Sequence, residues 1–151
     1  MLSLAVLDLM VTRLQGAATL RAWAQSHGQP LPVVGIGQQV PGVAEAWPYV
    51  LLAPSAERRD LVHGTLDQLS VVAACGVRLD ESSADQVGRG TRLLADLAEV
   101  VLGLLTEPHT YTVGASDLLA DYAELVDTGL THPSYEVQIG IALRLLSDAH
   151  D

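Results

Sequence analysis

The segment YEVQIGIALRL, residues 135–145, constrains the fold more than any other. Tyr135, Val137, Ile139, Ile141, Leu143 and Leu145 fall on one parity, and Glu136, Gln138, Gly140, Ala142 and Arg144 on the other. A period of two held for eleven residues predicts a strand with one face on a core and the other on water or a partner. A second segment repeats the theme. Residues 65–79 place Leu69, Val71, Ala73, Cys75 and Val77 on one face, against Ser70, Val72, Ala74 and Gly76, small and fairly apolar, on the other. A sheet whose second face is that bland predicts cover by another subunit, with Gly140 and Ala142 as candidate contacts.

The 151 residues suffice for one domain with a sizeable core, and residues 1–151 are read as a single unit. The chain is 49% hydrophobic and only 17% charged, with a mean hydropathy of +0.29. That apolar excess comes without any run of the roughly 18 apolar residues that cross a bilayer, so extra buried surface between subunits is expected and membrane insertion is not. The leading stretch MLSLAVLDLMVTRL has no basic leader and carries Asp8 within its apolar run, which predicts an intracellular protein rather than a secreted one. All eight basic residues are Arg, and the net charge of −10 argues against the clustered basic surface of a nucleic-acid reader. An acidic surface suits a protein that a polyanion must pass without sticking.

Taken in order, Leu2, Val6, Leu9, Met10 and Leu14 recur at helical spacing opposite Ser3, Asp8, Thr12 and Gln15. Leu20 and Trp23 continue the stripe, so the helix is expected to run past Gly16 to about Gln25. Five prolines in residues 30–54 leave room for two short strands, 33–36 and 49–53, the second closed by Pro54, with a loop over 38–46. The polar stretch SAERRDLVHG, residues 55–64, reads as a long hairpin connection. Its Arg58, Arg59 and Asp60 form a small basic spot on an acidic chain and are candidate partner contacts. Residues 80–83, DESS, signal a helix start, and Val87, Leu94, Leu97, Val101, Leu104 and Leu105 carry its stripe to Thr106. A short strand at 111–113, a strand at 122–126, a turn at Asp127-Thr128-Gly129 and the strand at 135–145 complete the chain. The sum is an α+β domain, a mostly antiparallel sheet with helices packed on one face.

Catalytic motifs are missing. Gly35-Ile36-Gly37 lacks the third glycine of a dinucleotide loop, and no HExxH, GxSxG or EF-hand pattern occurs. Cys75 is the lone cysteine, in mid-strand, and is expected to be a buried structural thiol. His27, His63, His109, His132 and His150 are scattered without ligand spacing. Asp80-Glu81 and Asp117/Asp121 read as surface or helix-start acids rather than an acid–base pair. No catalytic residue, cofactor or metal is therefore expected.

The order of elements carries a resemblance. A leading amphipathic helix, a proline-bounded strand (WPYVLLAP), a charged hairpin (SAERRDLVHG), a long strand (TLDQLSVVAACGVRL), a helix (DQVGRGTRLLADLAEVVLGLL) and a closing strand (PSYEVQIGIALRL) together resemble the tail terminator or tail completion proteins of long-tailed bacteriophages. The likeness spans nearly the whole chain and rests on order and spacing. It implies a non-enzymatic protomer forming a ring, commonly a hexamer, at the head-proximal end of the tail tube. That ring stops tube growth, joins the tail to the head connector proteins and lets DNA pass through its lumen unbound. The implied location is the neck of the virion, and the host cytoplasm during assembly. A contractile secretion device offers the same geometry. The competing expectation is a small dimeric α+β ligand-binding or enzymatic domain, with residues 38–46 and 55–64 forming the mouth of a pocket between helices and sheet.

Overall fold

The computed structural model describes residues 2–37, 47–79, 86–131 and 133–146. The elements run α1 (Leu2–Gln15), α2 (Ala18–His27), β1 (Val33–Ile36), β2 (Tyr49–Asp60), β3 (Thr65–Arg78), α3 (Gln86–Thr106), β4 (Thr110–Val113), β5 (Ser116–Thr131) and β6 (Ser134–Leu145). The six strands form one sheet in the order β1-β2-β3-β6-β5-β4. Only β1 and β2 pair in parallel; every other neighbour is antiparallel. The fold is α+β, with helices on one face of a mostly antiparallel sheet.

The two alternating segments lie side by side at the centre. Leu69, Val71, Ala73, Cys75 and Val77 of β3 pair with Leu143, Ile141, Ile139, Val137 and Tyr135 of β6, and all ten are buried. Paired residues share a face, so this row is the floor of the core. Val6, Leu7, Met10 and Leu14 of α1 and Leu94, Leu97, Val101 and Leu105 of α3 close it from above. Each such side chain contributes roughly 1.5–3 kcal/mol by leaving water. No described helix is long and apolar enough to cross a membrane.

The first helix does not run through to Gln25. It breaks at Gly16 and Ala17, where Ala17 is extended at φ −76°, ψ 123°, because glycine weakens a helix by about 1 kcal/mol relative to alanine. The break turns α2 so that Trp23 is buried, with its indole N–H donating to the Leu93 carbonyl of α3 at 3.4 Å. Gly28, at φ 64°, ends α2, and its N–H reaches back to Ala24 and Gln25. Within α1 the stripe is also rotated. Ser3 is buried while Leu9 is exposed, because Ser3 finds a polar partner described below.

Three other expectations change. Pro54 does not close β2, and the connection is not 55–64. The strand continues to Asp60, and only residues 61–64 turn. Pro54 is tolerated because β1 covers only Tyr49 to Leu52, leaving the next part of β2 on an edge among the described residues, and because a bulge follows it at Ser55. Likewise Asp127-Thr128-Gly129 is a bulge and not a turn, since pairing of β5 with β6 continues to Thr131↔Ser134. The strand expected at 122–126 is thus the middle of a strand of 16 residues. The expected loop at 38–46, the helix start at 80–83, His132 and His150 lie outside the described residues.

Arg13 joins the layers. Its guanidinium donates to the carbonyls of Pro108 at 2.8 Å and Thr110 at 2.9 Å, and lies 3.8 Å from the centre of the Tyr111 ring. A longer contact reaches Leu105 in the last turn of α3, where the helix dipole favours a cation. Gly90 fits α3 onto β6, because a Cβ there would stand 2.3 Å from the buried Tyr135 ring. Gly90→Ala is therefore expected to destabilise the protein by about 1–2 kcal/mol, the overpacking outweighing alanine's better helix propensity. Urea unfolding measures this, and Tyr135→Leu in the Gly90→Ala background is expected to recover part of the loss. A more stable Gly90→Ala protein would contradict the close packing.

Candidate assembly surfaces

The face of the sheet turned away from the helices is built in rows that follow from the register. Tyr122, Ala142, Ser70 and Ala56 form one; Glu124, Gly140, Val72 and Ala53 the next; and Val126, Gln138, Ala74, Leu51 and Gly35 another. Among the described residues no helix covers these rows. Their centre is made of small and apolar side chains that are only partly buried, while Tyr122 is 65% and Val126 48% exposed. Gly140 and Ala142 therefore lie in the middle of a surface of small side chains, apolar for the most part, with Glu124, Gln138 and Ser70 among them. A Cβ at Gly140 would meet only the Glu124 carbonyl, at 3.7 Å, so sterics within the protomer do not require glycine there.

One corner of this face is closed. Tyr49 lies across Gly76 of β3, where a Cβ would approach its ring to 2.2 Å. Its hydroxyl donates to the Glu136 carboxylate of β6, and Trp47 packs on it with ring centres 4.8 Å apart. Desolvation, reinforced by Glu136, holds the Tyr49 phenol well above its ordinary pKa, so it stays a proton donor. Sequence patterning missed this trio; a glycine in mid-strand was its only trace. At the opposite end of β6, Arg144 pairs with Asp121 at 2.7 Å. Arg58 lies two strands away in the same row, with Gln68 between them.

The β2–β3 hairpin extends past the part of β2 covered by β1 as an arm. The bulge at Ser55 puts Glu57 and Arg59 on the helix side and Arg58 on the open face. The basic spot is thereby divided. Arg59 donates to Glu57 at 2.6 Å, and the same carboxylate accepts from the Ser3 hydroxyl at 2.7 Å and the Ser3 backbone N–H at 3.0 Å. This explains buried Ser3 and ties the start of α1, where a helix favours an anion, to the arm. Asp60 builds the turn. It accepts from the N–H groups of Val62 and His63 and contacts His63 Nδ1 at 2.6 Å, while Gly64 takes φ 70°. The His63 hydrogen bond, and then the backbone donors, hold the Asp60 carboxyl below its usual range. That turn presents Leu61 and Val62 to solvent, 93% and 88% exposed. The apolar pair inside an otherwise charged segment was the readable signal for this tip.

Residues suggestive of chemistry are occupied elsewhere. Cys75 is fully buried, and desolvation pushes its thiol up to about 12, which leaves it protonated and unreactive at neutral pH. Asp117 accepts from Thr112 at 2.8 Å, and Asp121 holds Arg144. Among the described residues no three His, Cys, Asp or Glu side chains converge. A cleft of about 720 Å³ does lie between α2, α3 and the end of β3, lined by His27, Gln29, Leu79, Arg89, Arg92 and Asp96, with His27 and Asp96 3.1 Å apart. None of residues 55–64 lines it, so the arm is not its mouth.

Glu57 makes the arm sensitive to acid. Hydrogen bonds from Arg59 and then Ser3 lower its pKa from 4.5 to about 2. A depressed folded-state pKa stabilises the protein above the unfolded value and is lost as pH falls through the folded one. The stability gap between the native protein and Glu57→Gln is thus expected to be full above pH 4.5 and to close between about 4.5 and 2. Urea midpoints across that range measure it, and a gap independent of pH would contradict the assignment. Compared with models of known families and with curated proteins, the chain matches none.

Proposed function

We propose that this protein is a structural subunit that assembles as a ring, of the tail terminator or tail completion kind. It would cap the head-proximal end of a phage or prophage tail tube, stop tube growth and meet the head connector. One observation carries the reading: among the described residues helices pack on one face of the sheet alone, and its other face is a broad surface of Val72, Ala74, Gly140 and Ala142 edged by exposed Tyr122 and Val126. Apolar patches of this kind on a soluble chain mark interaction sites. An isolated protomer gains nothing from keeping that surface greasy, whereas a ring subunit buries it against a neighbour or the tube. The net charge of −10 suits a lumen through which DNA slides unbound, the protein working in the virion neck after assembly in the host cytoplasm.

The cleft beside His27 and Asp96 supports a second reading, a ligand-binding domain, because about 720 Å³ with two arginines on its wall is large enough for a small anion-bearing metabolite. A thermal-shift screen with metabolites and metals separates the two, since a large reproducible shift belongs to the second reading.

Ala142→Arg tests the first. The side chain at this position faces outward between Ser70 and Tyr122, so the protomer is expected to fold with an unchanged circular dichroism spectrum, while rings seen by electron microscopy, alone or on supplied tail tubes, disappear. Intact rings from the Ala142→Arg protein would remove this face from the assembly.

A further inference from the structure

We infer that the tip of the β2–β3 arm is a plug for a second copy of the same chain, and that its socket is the apolar recess at the opposite end of the protomer. This rests on the self-assembly reading and names the contact that makes it directional. The recess has a volume of about 160 Å³ and is lined by Leu14, Gln15, Leu20, Leu31, Pro32 and Val34, five of the six apolar. Leu14 and Leu20 form its buried walls, and Leu31, 52% exposed, stands at its rim. A cavity of about 150 Å³ with aliphatic walls accepts a benzene-sized group, so this recess has room for one leucine-sized side chain. The chain carries that group elsewhere. Among the described residues Leu61 and Val62 are the two most exposed large apolar side chains, held out on a turn fixed by Asp60 and Gly64.

The plug cannot reach its own socket. Val34 pairs with Val50 near the start of β2, whereas the tip follows Asp60 at its end. Ten residues at about 3.3 Å each put them roughly 30 Å apart. The helices agree, since Ser3 at the start of α1 is tied to Glu57 on the arm while Leu14, near the end of α1, lines the recess. A plug and a socket on opposite ends of one chain make a heterologous contact, each copy giving its tip to the next and receiving another. Repeated around a closing rotation, that contact produces a ring; without closure it produces a fibre. The Glu57 carboxylate anchors the arm to α1 partway along its length, so docking orders little that is not already ordered.

Cysteine pairing tests the contact directly. Val62→Cys and Leu31→Cys proteins are prepared separately and mixed under mild oxidation, with Cys75 left in place because it is fully buried. The expected product is a covalent dimer in the mixture that neither variant yields alone, and a ladder of covalent oligomers from the double variant. Leu61→Asp, at a site with no packing to lose, is expected to keep its melting temperature and to weaken self-association at least tenfold by sedimentation. If the native protein associates but Leu61→Asp associates equally well and no cross-link forms, the plug-and-socket contact is wrong while assembly through the open sheet face survives. A native protein that stays monomeric at high concentration and on tail tubes, with no cross-link, overturns both.

Discussion

The pairing of β3 with β6 is the constraint on which the rest depends. Eleven residue pairs, from Gln68↔Arg144 to Arg78↔Ser134, weld the β2–β3 hairpin to the β5–β6 hairpin across the middle of the sheet. Once that register is set, the parity of both strands is spent in one stroke. The large apolar residues of each fall on the side where α1 and α3 pack, and Ser70, Val72, Ala74, Gly140 and Ala142 fall on the other. A slip of one residue would bury Glu136, Gln138 and Arg144 and expose the core, so the register is strongly specified. The same step that builds the core therefore creates the open face. An unusual surface is here a direct consequence of how the protomer folds.

The arm depends on that ladder as well. Pairing of β2 with β3 continues well beyond the end of β1, so among the described residues the outer edge of β2 is open there, and Pro54 with the bulge at Ser55 interrupts what would otherwise be a flat, sticky edge. The bulge also decides which way each charge points. Glu57 reaches the start of α1, Arg59 is neutralised beside it, and Arg58 is left on the open face with Gln68 and Arg144. Edge protection along the strand and an apolar pair at its tip are opposite signals placed a few residues apart. Together they favour a contact made end-on by the tip rather than sideways by strand addition, which is why a socket of matching size at the far end of the protomer carries weight.

Much of this was legible from local pattern. Strict alternation identified β3 and β6 and assigned their faces, and helical spacing identified α1 and α3, because periodicity reports burial along a regular element. The errors fall where a long-range partner overrides the pattern. Pro54 looks like a strand end until β1 is known to stop at Ile36, and Asp127-Thr128-Gly129 looks like a turn until β6 is found to pair beyond it. Ser3 reads as a polar surface residue because its partner, Glu57, is 54 positions away. The Tyr49 hydroxyl and Glu136 are separated by 87 positions, and the glycine between them, Gly76, sits on the third strand of that row. No spacing rule reaches such pairs. Of the residues singled out from sequence, Gly140, Ala142 and Arg58 share the open face, while Arg59 and Asp60 serve the arm's own structure.

The central claim is that the face opposite the helices is covered in the working state of the protein. Tyr122 reports on it most directly, being 65% exposed in the middle of β5 and neighbour to Ala142 in the register. Hydroxyl-radical footprinting, read by mass spectrometry on dissociated and assembled protein, compares its reactivity with that of Tyr111, which is buried in the core of the protomer. The account predicts strong protection of Tyr122 on assembly with Tyr111 unreactive throughout. Assembled protein in which Tyr122 stays as reactive as in the dissociated protomer would contradict it.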